Sequence, residues 1–251
     1  MLKLNRKEGA IMQGFYFQYS APTASFRDPG SQLYHSCLPL PPFSTLAGIA
    51  GAALGMSFES IIDYFRDQHI FAGVKGFSRG RGRDLWNYAK ITSNSIVGKD
   101  ILNREFLAYL EGKIFYASPN VEVINKMHHA FKSPIFCLTL GNSDDLFVNH
   151  SISPVIEVGL TETSAIQNCM IPADISGLYE FDWASIKIAP LNVQLKAPQV
   201  FNLPVDYEFK GLVRKGCQYQ VFTYVPENIK FKKTIEVYSF DEETVPLFSL
   251  N

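Results

Sequence analysis

Residues 38–55, LPLPPFSTLAGIAGAALG, contain the strongest structural signal in the chain. A proline-rich approach leads to Ser44 and Thr45, either of which predicts an N-terminal cap, and a helix body of small residues and leucine follows. Gly55 is expected to end this helix. Small side chains at these spacings allow either a sheet or a nucleic-acid backbone to approach closely, and tight packing on a sheet is the simpler explanation.

The segments around this helix predict a mixed first part and a mostly β second part. Residues 10–20 alternate around aromatic side chains, as a strand does, and residues 57–68 predict a second short helix. Later in the chain, short β-like runs recur between prolines and glycines. We therefore predict an α+β fold with one domain at 1–150 and a β-rich C-terminal extension at 151–251.

Four further segments are assigned from composition and spacing. Residues 73–87 are rich in glycine and arginine and predict a loop between strands, and 104–117 predict two strands around a glycine turn. A strand-like edge is the alternative for 104–117. Apolar residues at helical spacing predict a helix over 120–132. The apolar run at 135–141 predicts a short strand that ends in a polar turn.

Charge is distributed unevenly along the chain. The net charge is −1, yet the window from Arg66 to Arg104 contains eight basic and three acidic residues, a net charge of +5. The rest of the chain is therefore acidic. Such a local excess of positive charge is typical of a surface that binds a polyanion.

The centre of the basic window is the run RGRGR at 79–83. Alternating glycines let the backbone approach a polyanion, and guanidinium groups bind phosphate through two parallel hydrogen bonds. Phe77, Trp86 and Tyr88 lie close by in the sequence and are of the type that stacks on unpaired bases. The window thus predicts contact with RNA or DNA; the alternative is a solvated loop whose charge is incidental.

Other chemistry is weakly represented. The four cysteines are widely separated and form no metal-ligand motif, so neither a metal nor another cofactor is expected. The adjacent Asp144 and Asp145 are better explained by a turn than by a metal site. No recognisable catalytic arrangement includes any of the five histidines. No signal peptide or membrane-spanning run is apparent, which predicts a cytoplasmic protein without membrane contact.

Four ordered blocks resemble the CRISPR-associated protein 5 family of the RAMP superfamily, a subunit of type I Cascade complexes. They are SFRDPG at 25–30, the helix stretch at 38–55, NREFL at 103–107, and the SP…LTLGNSDDL block at 133–146. Each block alone is unspecific, but the four follow the order of the family over residues 10–150. The last hundred residues are much less diagnostic.

The resemblance implies an RRM-like (ferredoxin-like) N-terminal domain with a protruding thumb, expected at about 70–103. It further implies an RNA-binding subunit without catalytic activity that grips the 5′ handle of the crRNA in antiviral defence. The Cascade backbone RAMP subunit and the large subunit are the implied protein partners. Motif position and the basic window together predict the following RNA-binding side chains: Arg27, Ser44, Lys75, Arg79, Arg81, Arg83, Trp86 and Arg104.

Two other functions stay open at this point. Type I-C relatives in the same family cut RNA through a Tyr/Lys/His cluster, so a metal-independent endoribonuclease that processes pre-crRNA is the second hypothesis. Tyr34, Tyr88 and Tyr116, together with Lys126 beside His128–His129, supply the residue types, although no motif matches that cluster position by position. The third hypothesis is an unrelated β-rich interaction protein with no preference for RNA.

Overall fold

The protein is described from a computed structural model. The described residues are 12–31, 34–92, 95–184, 196–211, 213–227 and 229–250, with the backbone alone for 90–92 and 95–97. Three helices lie within these ranges, all in the first part of the chain: α1 Phe43–Leu54, α2 Phe58–Asp67 and α3 Val121–Lys132. The strands of the first part are β1 Met12–Ala24, β2 Phe71–Thr92, β3 Ser95–Ser118 and β4 Val148–Ile152.

The second part of the chain contains the remaining strands and, in the residues described, no named helix. They are β5 Ile156–Thr163, β6 Cys169–Ile171, β7 Tyr179–Phe181, β8 Gln199–Lys210, β9 Val213–Val225, β10 Ile229–Phe231, β11 Ile235–Phe240, β12 Glu243–Val245 and β13 Phe248–Ser249. The predicted α+β class agrees with this content of strands and helices. Pro204 lies inside β8, which is an edge strand, the usual place for a proline in a sheet.

Most strands join one antiparallel sheet. Within the described ranges it has eleven strands, nine of them in the order β12-β11-β5-β1-β3-β2-β6-β9-β8, while β4 pairs with β1 and β13 with β2. The strands β7 and β10 pair separately. Strands from before and after residue 150 therefore pair with each other, and the division into 1–150 and 151–251 stays a prediction.

The three helices cover one face of the central strands. Aromatic side chains at alternate positions of β1 are fully buried under them, and Phe17 lies 4.8 Å from the ring of Phe131 on α3. The Tyr116 hydroxyl donates a 2.7 Å hydrogen bond to the carbonyl of Leu46, which fixes α1 to β3. On the opposite face, Phe115 packs against Phe240 of β11 at 5.1 Å. Both faces of the centre of the sheet are thus closed by the chain itself.

The small residues of α1 serve packing inside the protein. Ala47, Ala50 and Ala53 are completely buried, and a side chain at Gly51 would press on Ile61 of α2. Gly55 ends the helix in the left-handed conformation, with φ of 72°, as predicted. Close packing of helix on sheet and of helix on helix therefore explains the composition of 38–55.

Four local predictions are wrong. The side chains of Ser44 and Thr45 do not cap α1, because the helix begins one residue earlier and Pro42 is its N-cap. Residues 73–87 are not a loop, and 104–117 are not two strands, since β2 and β3 run through them as one long hairpin. Cross-strand hydrogen bonds stabilise the extended conformation here, although the glycine content of β2 favours a loop. The run at 135–141 contributes a single bridge, between Thr139 and Leu146, instead of a strand.

The hairpin is tightest where Gly76 faces Gly112 across β2 and β3. A Cβ atom at Gly112 would overlap the carbonyl oxygen of Lys75 and crowd the Tyr19 hydroxyl. We expect Gly112→Ala to lower the free energy of unfolding by about 2 kcal/mol, measured by urea denaturation. Gly98→Ala on the same strand meets no atom within 4 Å and is the control. Equal stability of the two variants would contradict this account of the hairpin.

Candidate nucleic-acid interface

The outer part of the β2–β3 hairpin carries most of the basic window. Strand β1 pairs with β3 only as far as Leu107, so residues 82–106, here called the outer hairpin, extend beyond it. Within the outer hairpin, Arg83 lies directly opposite Glu105, and Asp84 lies opposite Arg104. Cross-strand neighbours of opposite charge stabilise a strand pair, so the arginines help to hold the hairpin that presents them.

A short ladder is added to the base of the outer hairpin by the chain before α1. The backbone N–H of His35 donates to the Asn103 carbonyl at 3.0 Å, and the His35 carbonyl accepts from the backbone N–H of Glu105 at 2.8 Å. Arg27 and Cys37 form the next bridge outward. These contacts bring the SFRDPG and NREFL blocks, far apart in the sequence, side by side. We call this region the root ladder: residues 26–28, 35–38 and 103–105.

Glu105 is the centre of the polar contacts at the root ladder. Its carboxylate accepts two hydrogen bonds from Arg83, at 2.9 and 3.1 Å, and one from the Cys37 N–H at 3.4 Å. Arg81 lies 3.8 Å from the same carboxylate and donates to the Cys37 carbonyl at 2.9 Å. The Glu105 side chain is 14% exposed and that of Arg83 is 73% exposed. Arg83 is therefore anchored at one side while its guanidinium still faces solvent, with donors left for a phosphate.

An aromatic and cationic group lies on the face of the hairpin opposite the Glu105 side chain, because successive side chains of a strand alternate. The Arg104 guanidinium binds Asp84 at 2.8 Å and lies 5.6 Å from the ring centre of Trp86, which is 43% exposed. The His35 ring is 6.2 Å from Trp86. Burial, then the positive charges of Arg27 and Arg104, lower the pKa of His35. A lowered pKa favours the neutral imidazole, and the two arginine charges add to the larger effect of burial.

Arg27 differs from the neighbouring arginines in lacking a carboxylate partner among the described residues. It is also exposed. The predicted RNA-binding residues of this region therefore lie on two faces of the hairpin, because side chains alternate along a strand. Arg81 and Arg83 lie on the face of Glu105, whereas Trp86 and Arg104 lie on the other face, near His35 and Arg27.

The other three predicted residues lie elsewhere. Lys75 binds Glu243 at 2.9 Å, and Lys113 binds the same carboxylate at 2.6 Å. Burial alone would raise the pKa of Glu243, but the two lysines outweigh it and lower the pKa. Arg79 pairs with Glu111 at 2.7 Å, one step inward from Arg81. Ser44 hydrogen-bonds Tyr207 on β8, apart from the root ladder.

Sequence reasoning missed the carboxylates that hold the arginines in place. Asp84, Glu105 and Glu111 each pair with an arginine of the basic window. The register of the two strands decides these pairs: a shift between Lys90 and Ile91 places Glu105 opposite Arg83, where the pairing of Thr92 with Ser95 alone would place Arg104. His35, which looks isolated in the sequence, was missed for the same reason, because its neighbours come from β2 and β3.

The histidine pair of α3 divides into one core residue and one surface residue. His128 is buried against Phe15, and its Nε2 lies 3.0 Å from the Ser153 carbonyl oxygen, whereas His129 is exposed. Burial is the largest cause that lowers the pKa of His128, followed by the charge of Lys132. This arrangement is that of a histidine satisfied in the core.

Among the described ranges, no three His, Cys, Asp or Glu side chains converge as ligands of a metal ion would. Asp145 closes a turn through its N–H to the Asn142 carbonyl at 3.1 Å and accepts from Thr23 at 2.6 Å. No single described helix is long and apolar enough to cross a membrane, and α1 and α2 reach that length only as a pair bent by 104°.

Comparisons with known proteins agree with the fold. No protein-family model matches the sequence, and no curated protein matches it. A chain of a CRISPR RNA-guided surveillance complex is similar over 93% of this protein and 91% of that chain, with 14% identity and a TM-score of 0.53.

Two other solved structures are similar at lower TM-scores. A CRISPR protein from Archaeoglobus fulgidus is matched over 95% of this chain and 100% of its own, with 12% identity and a TM-score of 0.46. A Cas protein is 18% identical over 52% of this chain, with a TM-score of 0.35, and the match spans 57% of that protein's length. The structural neighbours are thus Cas proteins and surveillance-complex subunits, and the likeness is one of fold.

Proposed function

We propose that this protein is a CRISPR-associated protein 5 that binds the 5′ handle of crRNA, without cutting it, as a subunit of a type I Cascade complex. The observation that carries the proposal is the root ladder, where Arg81 and Arg83 lie on one face of the hairpin, and Arg27, Arg104 and a half-exposed tryptophan lie on the other. Guanidinium groups suit the phosphates of single-stranded RNA, and an exposed indole suits an unstacked base. No reaction centre is needed for such binding.

The order of strands and helices supports an RRM-like first part. The elements β1, α1–α2, β2, β3, α3 and β4 follow the β-α-β-β-α-β order, and β4 and β1, then β3 and β2, lie side by side in the sheet. The outer hairpin then corresponds to the thumb expected at about 70–103. The surveillance-complex chain of similar fold is consistent with this assignment.

The charge arrangement favours binding of an RNA at one fixed position over non-specific electrostatic binding. Each arginine of the outer hairpin already has a carboxylate neighbour, so the surface attracts a polyanion less than its arginine count suggests. Phosphates that bind the remaining guanidinium donors of Arg83, or those of Arg27, gain hydrogen bonds with fixed geometry. Such a surface selects an RNA of defined shape, which is what we propose for the 5′ handle of the crRNA.

Exposed apolar side chains support a role inside an assembly. Leu85 and Ile101 on the outer hairpin are 69% and 60% exposed, and Ile135 and Phe136 after α3 are exposed to a similar extent. Two such separated surfaces suit contacts with the Cascade backbone RAMP subunit and the large subunit. The proposal places the assembly in the cytoplasm, in antiviral defence.

A metal-independent endoribonuclease that processes pre-crRNA is the second candidate. The observation in its favour is His35, whose lowered pKa leaves a neutral imidazole beside Arg27 and Arg104, where a phosphate would bind. His128 is a poorer candidate for this chemistry, because it is buried against Phe15.

One experiment separates these functions. The purified protein is incubated with end-labelled CRISPR repeat RNA in EDTA, and native and denaturing gels are run side by side. We expect a shifted band with intact RNA. A discrete shorter product that is lost in His35→Ala would replace the binding role by the endoribonuclease. Absence of both, also after co-expression with the Cascade backbone subunit, would overturn the proposal.

A further inference from the structure

A cleft of about 560 Å³ separates the base of the β2–β3 hairpin from the C-terminal strands. It lies one step inward from the root ladder and has the size of the pockets that bind nucleotides and other small ligands. Three kinds of group meet in it: an aromatic ring, three cations and a pair of hydrogen-bonding side chains. The residues concerned are Phe77, Arg79, Arg81, Lys196, Asn168 and Glu227.

The hydrogen-bonding pair has a fixed position relative to β2. The Asn168 carbonyl accepts a 2.7 Å hydrogen bond from the Gly76 N–H, and its backbone has a φ of 54°, a left-handed conformation that asparagine tolerates. Its side-chain amide donates to Glu227 Oε1 at 3.2 Å. Asn168 Oδ1 and the second Glu227 oxygen are both acceptors, so the pair presents acceptors more than donors to the cleft.

The opposite side of the cleft is formed by the hairpin. Phe77 is 43% exposed, as a ring that stacks on a base must be. Arg79 and Arg81 follow it along β2, each tied on one side, to Glu111 and to the Cys37 carbonyl. Burial raises the pKa of Tyr224, which also lines the cleft, to about 12, so its phenol stays a neutral donor at physiological pH.

We propose that this cleft binds one unstacked base of the bound RNA and selects guanine through Glu227 and Asn168, with the flanking phosphates on Arg79 and Arg81. The inference rests on the proposed RNA-binding function and adds a base-selective subsite to it. It assigns a role in recognition to residues of the C-terminal part, where the sequence resemblance is uninformative.

Guanine fits the donors and acceptors of the cleft better than uracil. Its Watson–Crick edge offers two adjacent donors, N1–H and the exocyclic amino group, which match a carboxylate. Uracil offers one donor between two carbonyl oxygens, and those oxygens would face the Glu227 carboxylate. Adenine and cytosine each present a single amino group, so we expect their fit to the cleft to be intermediate between those of guanine and uracil.

The test is fluorescence anisotropy of the full chain with labelled RNAs of about 12 nucleotides. One RNA is oligouridine and one alternates guanosine with uridine. The third alternates inosine with uridine; inosine is guanosine without the exocyclic amino group. We expect the guanosine RNA to bind about tenfold more tightly than oligouridine, and the inosine RNA to lose most of that gain. Glu227→Gln is expected to abolish the difference and Glu208→Gln, an equal change of charge on β8, to retain it.

The possible results separate the two proposals. Equal affinity for the guanosine and uridine RNAs, or a preference that persists in Glu227→Gln, would overturn the base-selective cleft while RNA binding itself stands. Failure of every RNA to bind would overturn the proposed function, and the cleft proposal with it. Loss of the preference in Glu208→Gln as well would show that overall charge, not this cleft, selects the base.

Discussion

Replacement of Arg79, Arg81 and Arg83 together by alanine is expected to weaken the binding of CRISPR repeat RNA about a hundredfold. The three side chains follow one another along β2 and reach the root ladder and the cleft beside it. Their loss removes phosphate contacts and also leaves Glu105 and Glu111 as unpaired negative charges next to the RNA. Affinity is measured by fluorescence anisotropy at several salt concentrations.

The salt dependence identifies the kind of contact that is lost. Each phosphate contact to single-stranded RNA contributes about −0.7 to the slope of log affinity against log salt, so the slope should flatten by about 2. The matched control removes the same charge from three exposed lysines outside the interface: Lys210, Lys215 and Lys233. We expect that control to change affinity by less than about threefold. An unchanged salt slope in the arginine variant would refute phosphate binding by the hairpin.

The second large effect is expected from Trp86→Ala. Stacking of one base on an aromatic ring contributes about 1–3 kcal/mol, so RNA affinity should fall about thirtyfold at moderate salt. The slope against log salt should stay as in the wild type, because an indole binds no phosphate. This combination of weaker binding with an unchanged slope is the opposite of the pattern expected for the arginines.

The chain provides its own control for this variant, because it contains two tryptophans. Trp183 is 57% exposed and follows β7, outside the root ladder, so Trp183→Ala should bind RNA as the wild type does. Trp86→Phe retains a ring and should recover part of the loss. If Trp86→Ala flattened the salt slope, the indole would be acting through Arg104, whose guanidinium lies over its ring, and base stacking would be excluded.

Local sequence pattern was sufficient for elements whose stability is decided by near neighbours. The helix at 43–54, its end at Gly55, and the helix at 121–132 follow from spacing and from residues with special backbone conformations. The alternating aromatic residues of β1 likewise predicted a strand with one buried side. The family that the ordered sequence blocks resemble agrees with the similar fold of a CRISPR surveillance-complex chain.

Local sequence pattern predicted the wrong secondary structure where pairing between distant residues competes with local conformational preference. Glycine and arginine at 73–87 favour a loop when only neighbours in sequence are considered. In the protein, every second backbone group of β2 finds a partner on β3, and this ladder outweighs the poor strand propensity of glycine. The cap of α1 failed for a smaller reason, since the rigid Pro42 fixes the start of the helix before Ser44.

The sequence by itself determined the kinds of residue at the interface, the excess of positive charge between Arg66 and Arg104, and the order of the four blocks. Only the tertiary structure decided which of them meet. The register of the β2–β3 hairpin placed Glu105 against Arg83, and the bridges from His35 to Arg104 and from Cys37 to Arg27 brought Arg27 to the root of the hairpin. Contacts between residues this far apart depend on how the whole sheet closes, and no local propensity encodes that closure.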